Sequence, residues 1–226
     1  MNKDHIGEII DRIRIMLQKH APKTLLGYLK EELSDSFKVL VATILSHRTR
    51  DEVTSVAVKK LFSKYPNAKA LSLAKHSDVE LLIRPVGFYR VKARHIIEVA
   101  QIIINRFDGR VPDKMEELLT LPSVGRKTAN AVLAFGFDKP SLIIDTHAHR
   151  ITNRLGLVKT RHPDETEMEL REKIDERYWQ PLNELLVPFG KVICKPINPL
   201  CQICMLKDIC NYFNSLKRGM KVRAKK

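Results

Sequence analysis

The chain has 226 residues, forty Lys and Arg against twenty-six Asp and Glu, and a formal charge of +14. That length can bury one large core or two small ones, and the charge points to a polyanionic partner, nucleic acid ahead of a membrane surface. The N-terminus, MNKDHIGEII, has charges where a leader needs an apolar run, and no apolar stretch nears the ~20 residues of a membrane span, so no membrane partner and an intracellular place (cytoplasm or nucleoid) are expected.

Residues 4–18 read as an amphipathic helix, with Ile6, Ile9, Ile10, Ile13, Met16 and Leu17 at helical spacing. It has no obvious partner nearby. A second helix runs from about Asp35 to Ser46. The polar, basic SHRTRDE follows, then a third helix from Asp51 to Tyr65. Ser77 and Glu80 have capping-box spacing, and Pro85 to Tyr89 form a turn. A long helix continues to about Phe107, where Asp108-Gly109 stops it. Asp113 and Glu116 start another in the same capping fashion.

Leu121 to Ala129, LPSVGRKTA, joins two helical patterns through a tight turn at Ser123-Val124-Gly125. Gly125 precedes the second helix, whose free N–H groups form an anion site; phosphate is the obvious anion. Arg126 and Lys127 add two cations in that first turn, against the helix dipole, which costs a few tenths to ~1 kcal/mol. Lys127 is either a solvated charge or an amine able to form a Schiff base.

Ser141 to Ile144 is a short apolar run ending at Asp145, which opens a helix to Leu155. Asp145 suits an N-cap, or a carboxylate that stabilises an oxocarbenium-like sugar. Residues 164–177 and 179–192 read as further helices. Period-two alternation is absent, so the fold is expected to be all-α. The basic residues Lys217, Arg218, Lys221, Arg223, Lys225 and Lys226 read as a disordered tail.

All four cysteines fall between Cys194 and Cys210, spaced C-x6-C-x2-C-x5-C at Cys194, Cys201, Cys204 and Cys210. Clustered thiols in a reducing compartment indicate a metal centre. Zinc or a cubane iron–sulfur cluster suits four thiolates, and the single C-x2-C pair with longer flanking loops favours the larger cluster. The loop Lys195 to Pro199, basic and proline-stiffened, is a candidate phosphate contact.

LPSVGRKTANAVL, with Asp145 in IIDTHAHRI 18 residues after Lys127, resembles the helix-hairpin-helix DNA glycosylases. The cysteine spacing resembles their endonuclease III branch. The likeness spans roughly residues 25–212. It implies two helical domains with the active site in the cleft between them: a six-helix barrel over 25–135, its hairpin at about 114–134, and an iron–sulfur domain of 1–24 plus 136–213, leaving 214–226 as tail. It also implies a monomeric enzyme of base excision repair acting on double-stranded DNA that contains a damaged base or an abasic site. Lys127 would attack the sugar of a flipped nucleotide, expected to be an oxidised pyrimidine, and the Schiff base would lead to β-elimination and a 3′ cut. Asp145 would assist. Leu121, Ser123, Gly125 and Arg126 would hold phosphate at the hairpin, and a 4Fe–4S cluster would sit on the cysteines.

Two positions depart from the family pattern. Arg48 stands where the family usually has a gap-filling glutamine, and it would insert into the duplex or contact phosphate. Ser123 stands for a common glycine, tolerable where the backbone is ordinary. Phe88 matches a position that often carries a leucine wedge; an aromatic wedge and a buried core phenylalanine are the two readings. The rival functions are a thymine or uracil mismatch glycosylase, suggested by Arg48, and a non-catalytic DNA-binding hairpin module.

Overall fold

In the computed structural model, which describes residues 4–18 and 35–223, every regular element is a helix. These residues form two compact units, one of residues 35–141 and the other of 4–18 with 142–223.

The first unit is built around α2, Ser36–Ser46. Asp35 caps it, accepting from the Lys38 N–H at 3.0 Å. Phe37, Val39, Leu40, Val41, Ala42, Ile44 and Leu45 are all buried. A helix apolar on every side must be covered on every side, and the helices around it do this. α3 (Asp51–Lys64), α6 (Tyr89–Arg106) and α8 (Arg126–Gly136) pack on α2, and α4 (Ala68–Ser72), α5 (His76–Ile83) and α7 (Met115–Leu118) pack against those. At Gly136 a Cβ would lie 3.0 Å from Ser36 Cα. The missing side chain lets the end of α8 meet the start of α2.

The second unit contains α1 (Asp4–Gln18), α9 (Thr146–Leu155), α10 (Pro163–Lys173), a 3-10 turn at Glu176–Tyr178, α11 (Trp179–Val192) and α12 (Asn211–Arg223). The stripe of α1 finds its partner here: Ile6, Ile9, Ile10 and Ile13 share a core with Ile151, Leu182, Leu186 and Phe189. Arg12 ties the same helix to the distal loop, donating to the Met205 carbonyl and the Asp208 carboxylate at 2.8 Å. The apolar run after Ser141 is buried without a sheet, and the Ile143 N–H donates to Asn183 Oδ1 at 2.8 Å instead.

Several sequence expectations change. Neither capping box forms: α5 starts at His76 and α7 at Met115, both without a side-chain cap. Asp113 is drawn away to Lys139 Nζ, 2.6 Å from its Oδ2. That pair, with the Lys139 N–H bonded to the Leu133 carbonyl, keeps the loop after α8 on the first unit, so the break falls between Ser141 and Leu142 rather than at 135–136. The other expected boundary, at 24–25, lies outside the described residues, as do residues 224–226. α10 ends at Lys173 because Ile174 is extended, and α4 has no counterpart in the sequence reading. The tail expected to be disordered continues α12 as far as Arg223.

Candidate active site

In the first unit the hairpin runs from α7 to α8. The Leu121 and Val124 side chains are buried, and the Val124 N–H donates to the Leu121 carbonyl at 3.2 Å. Any contact Leu121 makes with a partner is therefore through its backbone. Ser123 adopts φ 62°, the left-handed region. The ordinary backbone expected there is not found, and a residue with a Cβ bears a cost of about 1–2 kcal/mol for it. Its hydroxyl is 2.5 Å from His95 Nδ1 on α6, a bond that a glycine would not make.

Gly125 has an extended backbone, φ −101° and ψ −179°, that any residue adopts, so conformational freedom is not its use. What marks it is space: a Cβ built there meets nothing within 4 Å. The first-turn N–H groups of α8 lack intrahelical acceptors and lie next to this opening. Lys127 is exposed, Arg126 is half-buried and Thr128 is buried. Thr128 Oγ1 is 3.0 Å from His47 Nε2, which joins the Lys127 turn to the loop after α2.

Burial, and then the charges of Lys127 and Lys92, push His47 down from 6.5 to about 4. Between those values the unfolded chain takes up a proton that the folded chain refuses, so stability rises with pH. The contribution is complete above pH 6.5 and is lost as pH falls through 4. The denaturation midpoint should fall over that window, and H47Q should flatten the fall; an equal slope in both proteins would refute the assignment.

Arg48 and Phe88 come together. Both are exposed, Phe88 at 62 %, and both have left-handed backbones, φ 51° and 58°. The Arg48 guanidinium carbon lies 5.7 Å from the Phe88 ring centroid, a cation–π contact. Phe88 is thus not the core residue that one of its sequence readings allowed: at the N-cap of α6 its left-handed backbone turns the ring out.

In the second unit Asp145 caps α9. Its Oδ1 accepts from the His147 N–H at 2.9 Å and from the Ala148 N–H at 2.8 Å. Both bonds end on one oxygen. Arg150 and Arg154, spaced i, i+4 on the same helix, run to the cysteine segment. Arg150 Nη2 donates to the Cys194 carbonyl at 2.8 Å and the Gly190 carbonyl at 3.1 Å. Arg154 donates to the Lys195 carbonyl at 2.7 Å, the Pro196 carbonyl at 2.9 Å and Cys194 Sγ at 3.4 Å. The Lys195 side chain is exposed. His147 is half-buried, and its ring packs over Gly190, where a Cβ would fall 2.4 Å from Nδ1.

Cys194, Cys201, Cys204 and Cys210 line one cavity walled by Ile151, Leu155, Phe189 and Ile193. Burial first, helped by the neighbouring sulfurs, raises the thiols of Cys201, Cys204 and Cys210, with Cys204 at about 11. No group of three or more His, Cys, Asp or Glu among the described residues is drawn together as ligands of a single metal ion. No helix among them is long and apolar enough to cross a membrane.

His47, Lys92, Arg150 and Arg154 were not picked out by sequence. The last two had a visible cue, their i, i+4 spacing on the helix that Asp145 opens. Lys92 had one too: it falls on the stripe Ile96, Val99, Ile103, a charge on a core face.

The model of the HhH-GPD superfamily of base excision DNA repair proteins matches residues 41–176. An endonuclease III of Thermotoga maritima is 52% identical over 186 residues, covering 82% of this chain and 87% of its own. A solved non-covalent endonuclease III–DNA complex aligns with a TM-score of 0.83 at 30% identity, covering 96% of this chain and 99% of that one. A thermostable thymine-DNA glycosylase aligns at 0.81 and 23% identity, covering 93% and 97%, a likeness of fold alone. By the hairpin match and by these relatives, the chain belongs to the endonuclease III branch of the HhH-GPD superfamily of base excision DNA repair proteins.

Proposed function

We propose that the protein is a DNA glycosylase with abasic-site lyase activity that acts on oxidised pyrimidines in double-stranded DNA. One observation carries this reading: Lys127 stands exposed in the first turn of the hairpin's second helix, beside the open space at Gly125. A strand whose phosphate sits on those N–H groups brings its sugar within reach of the amine. Nζ attacks C1′ and the glycosidic bond breaks, the base leaving with its electron pair and taking up a proton. The attached nitrogen loses a proton and expels the ring oxygen O4′, which takes up a proton, and an iminium forms; it then loses a proton from C2′, and the bond from C3′ to the phosphate oxygen breaks, the phosphate leaving with the electron pair. Asp145 supplies the carboxylate that stabilises the cationic sugar. Its Oδ1 holds the helix, and Oδ2 is the oxygen for this work.

Extruding the base costs a few kcal/mol, least for a poorly stacked lesion. Arg48 and Phe88 contact the duplex where the base has left. Leu121 and Gly125 through their backbones, Ser123, Arg126 and the exposed Lys195 hold phosphate. The excess of basic residues makes binding fall with salt. The enzyme acts as a monomer inside the cell, where its DNA substrate is.

The cysteines fit a 4Fe–4S cluster: four sulfurs share one apolar cavity, and Arg154 donates to the Cys194 sulfur, offsetting thiolate charge. Cys194, Cys201, Cys204 and Cys210 would hold it, and the cluster would crosslink this segment without entering a chemical step. Purified protein should be yellow-brown and contain iron and sulfide in equal amounts; a colourless zinc protein would overturn the assignment.

Arg48 favours a second reading, excision of thymine or uracil opposite guanine. A guanidinium only donates, and guanine O6 and N7 accept it in bidentate fashion. Borohydride trapping on a lesion panel with defined opposite bases separates the possibilities. Adducts on oxidised pyrimidines support the first reading, and adducts confined to G·T or G·U support the second. Binding without an adduct on any substrate would leave only a non-catalytic module.

A further inference from the structure

Lys92 is buried, at 6% exposure, on the core face of α6. A buried cation is costly unless its donors are met. Here Nζ donates to three oxygens: the Leu45 carbonyl at 2.8 Å, the His47 carbonyl at 2.5 Å and Thr49 Oγ1 at 3.2 Å. Leu45 lies in the last turn of α2, and His47 is its C-cap. The ammonium therefore sits at the negative end of the central helix and donates to carbonyls at its C-terminal end. Burial brings Lys92 down to about 8. Three acceptors ask for three N–H bonds, which the ammonium has and the neutral amine lacks, so the charged form is the one the geometry holds at neutral pH.

The third acceptor extends the lock to a second loop. Thr49 Oγ1 also accepts from the Gly87 N–H at 3.1 Å and donates to the His47 carbonyl at 3.3 Å, so the hydroxyl is fully used. At Gly87 a Cβ would fall 2.9 Å from the Arg48 carbonyl oxygen, so the two loops touch through backbone. Arg48 precedes Thr49 and Phe88 follows Gly87. Both carry left-handed backbones, which persist only where the surroundings impose them.

We propose that Lys92 is a positioning residue whose buried ammonium locks the two loops that present Arg48 and Phe88 to the duplex as a single probe. This rests on the reading that the pair contacts DNA. Lys92 itself touches no substrate and acts through the loops. The consequence is selective. Reaction on a base stacked in a duplex needs the probe, whereas cleavage at an abasic site in single-stranded DNA needs the Lys127 amine but no extrusion.

The test measures single-turnover rates on two probes, a duplex oligonucleotide with an oxidised pyrimidine and a single strand with an abasic site. K92M should lower the duplex rate about tenfold or more, the scale of an extrusion cost of a few kcal/mol, and the single-strand rate by no more than about twofold. In an R48A/F88A background K92M should change the duplex rate by less than about twofold, because the probe it positions is gone. G87A is the second variant: its Cβ pushes the loops apart without removing a charge, and it should give the same selective loss even where K92M does not fold. Equal losses on both probes, or a K92M effect that persists in full without the pair, would overturn the proposal. If R48A and F88A leave the ratio of the two rates at the parent value, the reading that the pair contacts DNA fails. If they lower it while K92M and G87A do not, the positioning role alone fails.

Discussion

Replacing Lys127 with alanine is expected to abolish the borohydride-trapped adduct and to slow strand cleavage at an abasic site by at least about 10³-fold, the scale seen when a nucleophile is removed from an active site. Of the first-turn side chains of α8, Arg126 is a guanidinium that stays protonated and forms no Schiff base. Thr128 is buried and bonded to His47. Lys127 is the exposed amine at the hairpin. Its exposure also sets the stability side of the prediction: unfolding free energy should move by no more than about 0.5 kcal/mol, as for most surface substitutions. Adduct formation by K127A at the parent rate would place the nucleophile elsewhere.

The helix cap made by Asp145 and its proposed role at the cationic sugar are separable, and asparagine tells them apart. Asparagine caps a helix about as well as aspartate, so D145N keeps an oxygen for the His147 and Ala148 N–H groups but carries no charge. Base excision by D145N should fall by about 10²–10⁴-fold, in the range for a positioned carboxylate in a transition state, while unfolding free energy stays within about 0.5 kcal/mol of the parent. D145A should lose the same activity and a further ~1 kcal/mol of stability, the worth of the cap. A D145N enzyme as fast as the parent would reduce Asp145 to a helix cap.

Much of the helical framework was legible because periodicity and breakers agree. The stripe of α1, the long α6 stopped by Asp108-Gly109, and α9 closed by Gly156 in the left-handed region follow from spacing and backbone freedom. Where local signals failed, a distant partner was the reason. Asp113 is at capping spacing, but Lys139, 26 residues away, takes its carboxylate. Ser123 reads as an ordinary turn serine, and only His95 on α6 shows what accompanies its left-handed backbone. Phe88 was ambiguous because an aromatic beside a glycine suits a core or a wedge equally; its φ of 58° and its exposure turn it outward.

The candidate site divides in the same way. Spacing within one segment was enough to single out Lys127 beside Gly125, Asp145 at a helix start, and four cysteines within one short stretch, since hairpin, cap and cluster signals are all local. The net charge likewise pointed to a polyanion without any structure. What lies around those residues comes from segments far apart in sequence. Thr128 meets His47, Arg154 reaches the Cys194 sulfur, and Lys92 gathers three oxygens at the end of α2. Such pairings depend on which helix ends the packing brings together, and no periodicity records them. Local spacing was enough for most of the helices, for the family and for the candidate groups Lys127 and Asp145. Tertiary structure decided which side chains are buried and what holds the exposed ones in place, because burial and long-range hydrogen bonds exist only after the helices have packed.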